Sequence, residues 1–220
     1  MLDTKYFDEQ LSNIQFYKQF PAMKPFIGEF YNSDKHKKLL LVGESYYLPN
    51  ETNLHHSSIQ WYGSNQDELD DDEVEWIDCN GLLTCDWASD GHQIYRELNK
   101  CIFSLNIEKG KRAIDEVAFT NYFQRPAEKE GESFKYFCTE EDIVRANEIL
   151  EQVIRIIDPD IVIFVSKYAW DTGGIKVKND FPQKIVDFVC HPGTGGRYWH
   201  NESYPHNKDK FINLLKKNFI

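Results

Sequence analysis

A chain of 220 residues that is 41% hydrophobic, with 15 Phe, 12 Tyr and 5 Trp, has the apolar mass for one buried core and reads as a single domain over 1–220. Its net charge of −11 argues against broad attachment to nucleic acid through phosphates. No apolar run nears the roughly 20 residues that cross a bilayer. The first residues lack the layout of a secretory leader. Five cysteines (Cys79, Cys85, Cys101, Cys138 and Cys190) form no C-x-x-C pair, which speaks against a disulfide framework, a zinc site or an iron–sulfur cluster. The expectation is a cytoplasmic protein with no cofactor, no metal and no membrane partner; composition leaves the oligomeric state open.

Residues 5–31 place Tyr6, Phe7, Leu11, Ile14, Tyr17 and Phe20 at loosely helical spacing. Residues 37–43 run four apolar side chains into Gly43, the pattern of a strand covered on both faces. Residues 44–80 are polar and irregular and contain the acidic run 67–75. That run reads as a solvated loop or helix start, with a metal site or a charge-based gate as the sharper alternatives. His55-His56, adjacent rather than a turn apart, is given no role, and Trp61-Tyr62 reads as a lid anchor or a stacking pair. Residues 89–105 repeat apolar positions at Ile94, Leu98, Cys101, Ile102 and Leu105, a helix. Residues 116–123 form a second strand, ended by Arg125-Pro126. Thr139-Glu-Glu-Asp142 has the layout of a capping box and opens a helix that Asp158-Pro159 stops. Residues 160–166 and 184–191 are further strands, and 208–219 a closing amphipathic helix.

Strands alternating with helices imply crossovers, a mostly parallel sheet and helices on both of its faces. Ligands of such sheets bind beyond the carboxyl ends of the strands. Polar residues collect there: Glu44 and Ser45, Thr120 and Asn121, Ser166, and His191. Arg197, Tyr198, Trp199 and His200 join a cation to aromatics beside glycines, which suits a base or a phosphate, or equally a surface plug.

Four segments, in order, resemble the uracil-DNA glycosylase superfamily: Gly43-Glu-Ser-Tyr-Tyr-Leu-Pro49, Phe119-Thr-Asn-Tyr-Phe-Gln-Arg-Pro126, residues 159–169, and His191-Pro-Gly193. The resemblance implies a three-layer α/β/α sandwich with a mostly parallel four-stranded central sheet. It also implies a DNA base-excision N-glycosylase, in which water cleaves the bond to a deaminated or damaged base flipped out of DNA. On it, Asn121 reads the base edge together with Gly43, and Tyr47 polices the size of the pyrimidine. His191 stabilises the leaving anion, and Glu44 or Ser45 holds the water. Arg197 and Tyr198 are the nucleic-acid-contacting candidates, and single-stranded or mismatched DNA is the expected partner. The chain departs from the family at Tyr46, where a proline is usual, at Ser45, where the strongest members carry Asp, and after Gly193, where Thr-Gly-Gly-Arg-Tyr-Trp replaces Ser-Pro and a wedge. Two alternatives stay open. One is a member of the same fold that binds a nucleotide, nucleic acid or protein without cleaving; the other is a small-molecule hydrolase with Glu44 as base and His191 as acid.

Overall fold

The computed structural model describes residues 4–87, 92–107, 112–193, 199 and 207–220. Phe26–Ile27 (β1), Leu39–Gly43 (β2), Ala118–Asn121 (β3), Ile161–Phe164 (β4) and Ile185–Phe188 (β5) form one sheet in the order β1-β3-β2-β4-β5. Strands β2 to β5 are mutually parallel, and β1 runs antiparallel to β3. Every residue of β2, β3 and β4 is buried, so β2 and β4 read as apolar runs rather than alternating ones, while β3 ends on the buried polar pair Thr120 and Asn121. The fold is therefore α/β as expected, but its sheet is five-stranded and mixed rather than four-stranded. The extra strand is two residues long and follows Pro25, too short to carry any period. Gly28, just after it, lets the chain press against its neighbour, since a Cβ there would lie 2.2 Å from the Asp115 carbonyl oxygen.

Helices Thr4–Leu11 (α1) and Gln15–Gln19 (α2) occupy the predicted N-terminal helical stretch. The segment expected to be irregular instead contains Ser58–Gly63 (α3), Asp71–Ile77 (α4) and Cys79–Thr84 (α5). These helices have six or seven residues, below the length at which an apolar stripe repeats, and their caps define them. Ser57, Asp70 and Asp78 each accept a backbone N–H of the first turn, and Glu73 returns a carboxylate to the Asp70 N–H. The acidic run is thus a helix start, with Asp71, Asp72 and Glu73 against the positive end of the dipole.

Gln93–Phe103 (α6) links β2 to β3 and packs against the closing helix, Asn207–Asn218 (α10). Glu140–Ile157 (α7) links β3 to β4 and packs against α1. Its predicted capping box is present, with Thr139 and Asp142 each satisfying the other's backbone N–H. Between β4 and β5 the chain forms Lys167–Ala169 (α8), a π-turn over Trp170–Gly174 and Ile175–Asp180 (α9).

Arg125 is fully buried between these parts. Its Nε and Nη2 meet Asp142 Oδ1 and Oδ2 at 2.9 and 2.8 Å, while Nη1 and Nη2 donate to the carbonyls of His55 and Phe137, both at 2.6 Å. Tyr62 donates to the same carboxylate. Burial alone would raise the Asp142 carboxyl, but Arg125 and Thr139 outweigh it and hold the group below the usual carboxylate range. Removing one partner strands a buried charge. Arg125→Met or Asp142→Asn should therefore cost about 3–5 kcal/mol in urea unfolding, and Arg125→Met with Asp142→Leu should recover part of that. Single-variant costs below about 1 kcal/mol would show that the pair is not a keystone.

His55 is fully buried. Burial, helped by His56 and Arg125, pulls its pKa down to about 4. Because the folded state refuses a proton that the unfolded chain accepts near pH 6.5, this contribution is whole above that pH. It is lost progressively down to about pH 4, to a total of about 3 kcal/mol. His55→Phe should flatten that limb of the stability–pH curve; an unchanged curve would show that His55 is not its source.

Candidate functional site

Strand β2 ends at Gly43, which lies opposite Asn121 at the end of β3. A Cβ on Gly43 would sit 2.1 Å from Asn121 Oδ1 and 2.9 Å from the Phe119 ring, so only glycine leaves room for the carboxamide to lie across the strand end. Asn121 is 6% exposed. Its backbone carbonyl accepts from Gln124 Nε2 at 2.6 Å and from Thr120 Oγ1 at 3.3 Å, but its carboxamide has no hydrogen bond among the described residues. That side chain helps line a cavity of about 740 Å³.

Ser45, Tyr46 and Tyr47 line the same cavity from the loop after β2, and Ile94 and Tyr95 from α6. The Ser45 hydroxyl likewise has no partner among the described residues. Tyr95 stands edge-on to Phe119 at 5.4 Å, which fixes its ring beside Asn121's strand. The Tyr47 hydroxyl donates to the Glu132 carbonyl at 3.2 Å. Burial, with Glu44 and Glu130 nearby, pushes that phenol up to about 12, so it stays neutral. Glu75, Trp76, Asp78 and Glu130 also line it, as do Cys85 and His92.

Glu44 plays a different part from Ser45. Its Oε1 accepts from Ser133 Oγ at 2.7 Å and from the Phe134 N–H at 2.8 Å, and its Oε2 accepts from Ser166 Oγ at 2.5 Å. The carboxylate bridges the carboxyl ends of β2 and β4 to the 133–134 loop. His191, half-buried beyond β5, accepts the Gly193 N–H at Nδ1 (3.0 Å), which places the neutral ring's proton on Nε2. Burial lowers its pKa below the ordinary histidine value, against the upward pull of Glu44. The turn after His191 also approaches α6, since a Cβ on Gly193 would lie 3.9 Å from the Ile94 nitrogen.

Of the residues expected at a site, the structure thus gathers Ser45, Tyr47 and Asn121 around one cavity, with Gly43 making room behind Asn121. Glu44 and His191 share an electrostatic environment but are not among that cavity's lining. Arg197 and Tyr198 lie outside the described residues. Trp199 is a buried plug, its indole N–H on Glu97 and its ring against Phe211. Trp61 and Tyr62 are anchors: Trp61 stacks on Phe20 at 4.4 Å and donates to the Gln124 carbonyl. Tyr95 falls within a predicted helix and Glu75 within the acidic run 67–75, while Trp76 carries no signal of its own; that all three line one cavity was not legible in the sequence.

No family model matches the chain, and no curated protein matches it. No helix among the described residues is long and apolar enough to cross a membrane.

The contact between Gly43 and Asn121 predicts a coupling. Gly43→Ala should cost about 1–3 kcal/mol through overpacking, and distinctly less in an Asn121→Ala background, where the carboxamide is gone. Denaturant unfolding of the four proteins measures this, and strictly additive costs would show that the side chain does not lie where described.

Proposed function

We propose that the chain is an N-glycosidic bond hydrolase of the uracil-DNA glycosylase kind. On this reading it is a three-layer α/β/α domain that takes a deaminated or damaged base, flipped out of single-stranded or mismatched DNA, into the cavity at the ends of β2 and β3. The observation that carries the reading is the Asn121 carboxamide. Its oxygen and nitrogen have no partner among the described residues and open onto the cavity, so a ligand edge that offers both a donor and an acceptor can pair with both. The cavity's volume falls within the usual range for small-ligand sites, and its tyrosine rings offer stacking faces.

In the reaction, water adds to C1′ of the sugar, the C1′–N bond breaks, and its electron pair leaves with the base. Asn121 reads the base edge and Ser45 orients the water. A neutral His191 with its proton on Nε2 can donate to an oxygen on which negative charge grows, without itself needing to titrate. Glu44 holds the strand ends and the 133–134 loop in register around these groups. A serine cannot take the water's proton near neutral pH, so turnover is slow beside enzymes with an Asp at that position. Binding without cleavage is the second reading. One observation favours it: both Glu44 oxygens are engaged, which leaves the cavity no carboxylate from the first motif to act as a base. The same engagement weighs against Glu44 as the base of a small-molecule hydrolase.

The test is base release from oligonucleotides carrying uracil, hypoxanthine, xanthine or an N-alkylated purine, followed by alkaline strand cleavage. Single-stranded and mismatched substrates should react faster than paired ones, because an unpaired base costs less to extrude. His191→Ala should lower release of the neutral bases by roughly 10²-fold, in line with loss of one oxyanion donor, and Asn121→Ala should lower release of every base. Ser45→Asp should raise the rate. No release at enzyme excess would refute hydrolysis, and release of neutral bases that survives His191→Ala unchanged would refute the assignment of the site.

A further inference from the structure

Glu75, Asp78 and Glu130 line the cavity that holds Asn121, and against these three carboxylates the described lining sets one basic side chain, His92, and no lysine or arginine. The acidic stretch is drawn into the site by the fold. Asp70 caps α4, α4 carries Glu75 and Trp76 into the lining of the cavity, and Asp78, which caps α5, joins them there. Glu130 faces it from the loop after β3, close enough to perturb Tyr47. The rings of Tyr46, Tyr47, Trp76 and Tyr95 line the same cavity. Carboxylates alone would be a solvated surface. This cluster instead surrounds a cavity into which a nine-tenths-buried Asn121 presents an unpartnered carboxamide, which marks a ligand position.

We infer that the base taken by this cavity is a cationic one, a purine carrying a fixed positive charge from ring N-alkylation. The inference rests on the base-binding reading above and names its substrate class. Carboxylates at the mouth of a cavity raise the local concentration of cations and oppose anions, and aromatic faces attract a cation that has shed water. The chemistry agrees with the catalytic groups. When water adds to C1′ of such a nucleotide, the C1′–N bond breaks and its electron pair stays on the ring nitrogen, cancelling the positive charge. The base departs neutral, and the water's proton passes to solvent. Because the departing base is neutral, the C1′–N bond can break ahead of water attack, and a water that Ser45 only orients can add to the electron-poor sugar without a strong base. It also explains why Glu44 can be committed to Ser133, Phe134 and Ser166.

Two measurements on the full chain test this. The first is binding of 1-methyladenosine, cationic at neutral pH, against adenosine, its neutral counterpart, by calorimetry. The second is release of 7-methylguanine against hypoxanthine from oligonucleotides, each rate divided by its spontaneous rate. The wild type should favour the cation in both. Glu75→Gln with Glu130→Gln should weaken the cation's binding and release by roughly tenfold, as expected for two partly screened carboxylates, and leave the neutral ligand within about twofold. Both positions are exposed, so neither change threatens folding. Release of hypoxanthine with no preference for the cation, or a preference untouched by the double variant, would overturn the inference and leave the hydrolase reading standing. Cation-selective binding that the double variant abolishes, with no base released, would uphold the inference on charge and defeat hydrolysis. Neither binding nor release would defeat both.

Discussion

The pairing of Arg125 with Asp142 is the constraint on which the molecule's upper end depends. A guanidinium with almost no exposure survives only because nearly every donor finds an acceptor, two on the carboxylate and two on the carbonyls of His55 and Phe137. Those acceptors belong to segments far apart in the chain: the loop after β2, the loop after β3 and the first turn of α7. The same two loops wall the cavity, one through Tyr46 and Tyr47, the other through Glu130. Phe134 lies under the guanidinium at 5.0 Å and offers its N–H to Glu44, so the ion pair and the Glu44 bridge grip one short segment from two sides.

This division of labour gives the site its character. The acid of the first motif is spent on architecture, and the groups left facing the cavity are amide, hydroxyl and phenol. None of these three carries charge near neutral pH, and the ionisable groups elsewhere in the lining are mostly acidic, Glu75, Asp78 and Glu130 beside the single histidine His92. A cavity of that kind orients a polar planar ligand and discriminates by charge before it does chemistry. His191 fits the same pattern, a neutral donor whose burial outweighs the attraction of Glu44.

Much of the fold was legible because burial on both faces writes itself as uninterrupted apolar residues, as in Leu39–Val42 and Ile161–Phe164. The Thr139 capping box was legible for a local reason: donor and acceptor lie three residues apart. Where the sequence was silent, the cause lies in contacts remote along the chain. β1 exists through pairing with β3, and α3 to α5 exist through caps rather than periodicity. The helical stretch after β4 hides behind Gly173 and Gly174, which read as breakers. In the fold they let the π-turn sit against Tyr122 and Trp170, where a Cβ would come within 2.4 and 2.1 Å of the rings. Gly43 and Asn121 could be singled out at strand ends, but their mutual fit needs the register. Tyr95 and Glu75 needed the whole tertiary arrangement to become cavity residues.

The two-residue length of β1 has a bearing on how the chain behaves in a crowded solution. An open strand edge is a template on which other chains can assemble. On one side of this sheet, β1 covers β3 and then turns away at once, its continuation hydrogen-bonded to Val117 and Asp115, so the outermost strand offers almost no length to copy. On the other side, β5 carries Asp187, paired with Lys210 at 2.8 Å, and that charge opposes the docking of a further apolar strand. Both edges of a sheet whose inner strands include Leu-Leu-Leu-Val thus disfavour the addition of a further strand.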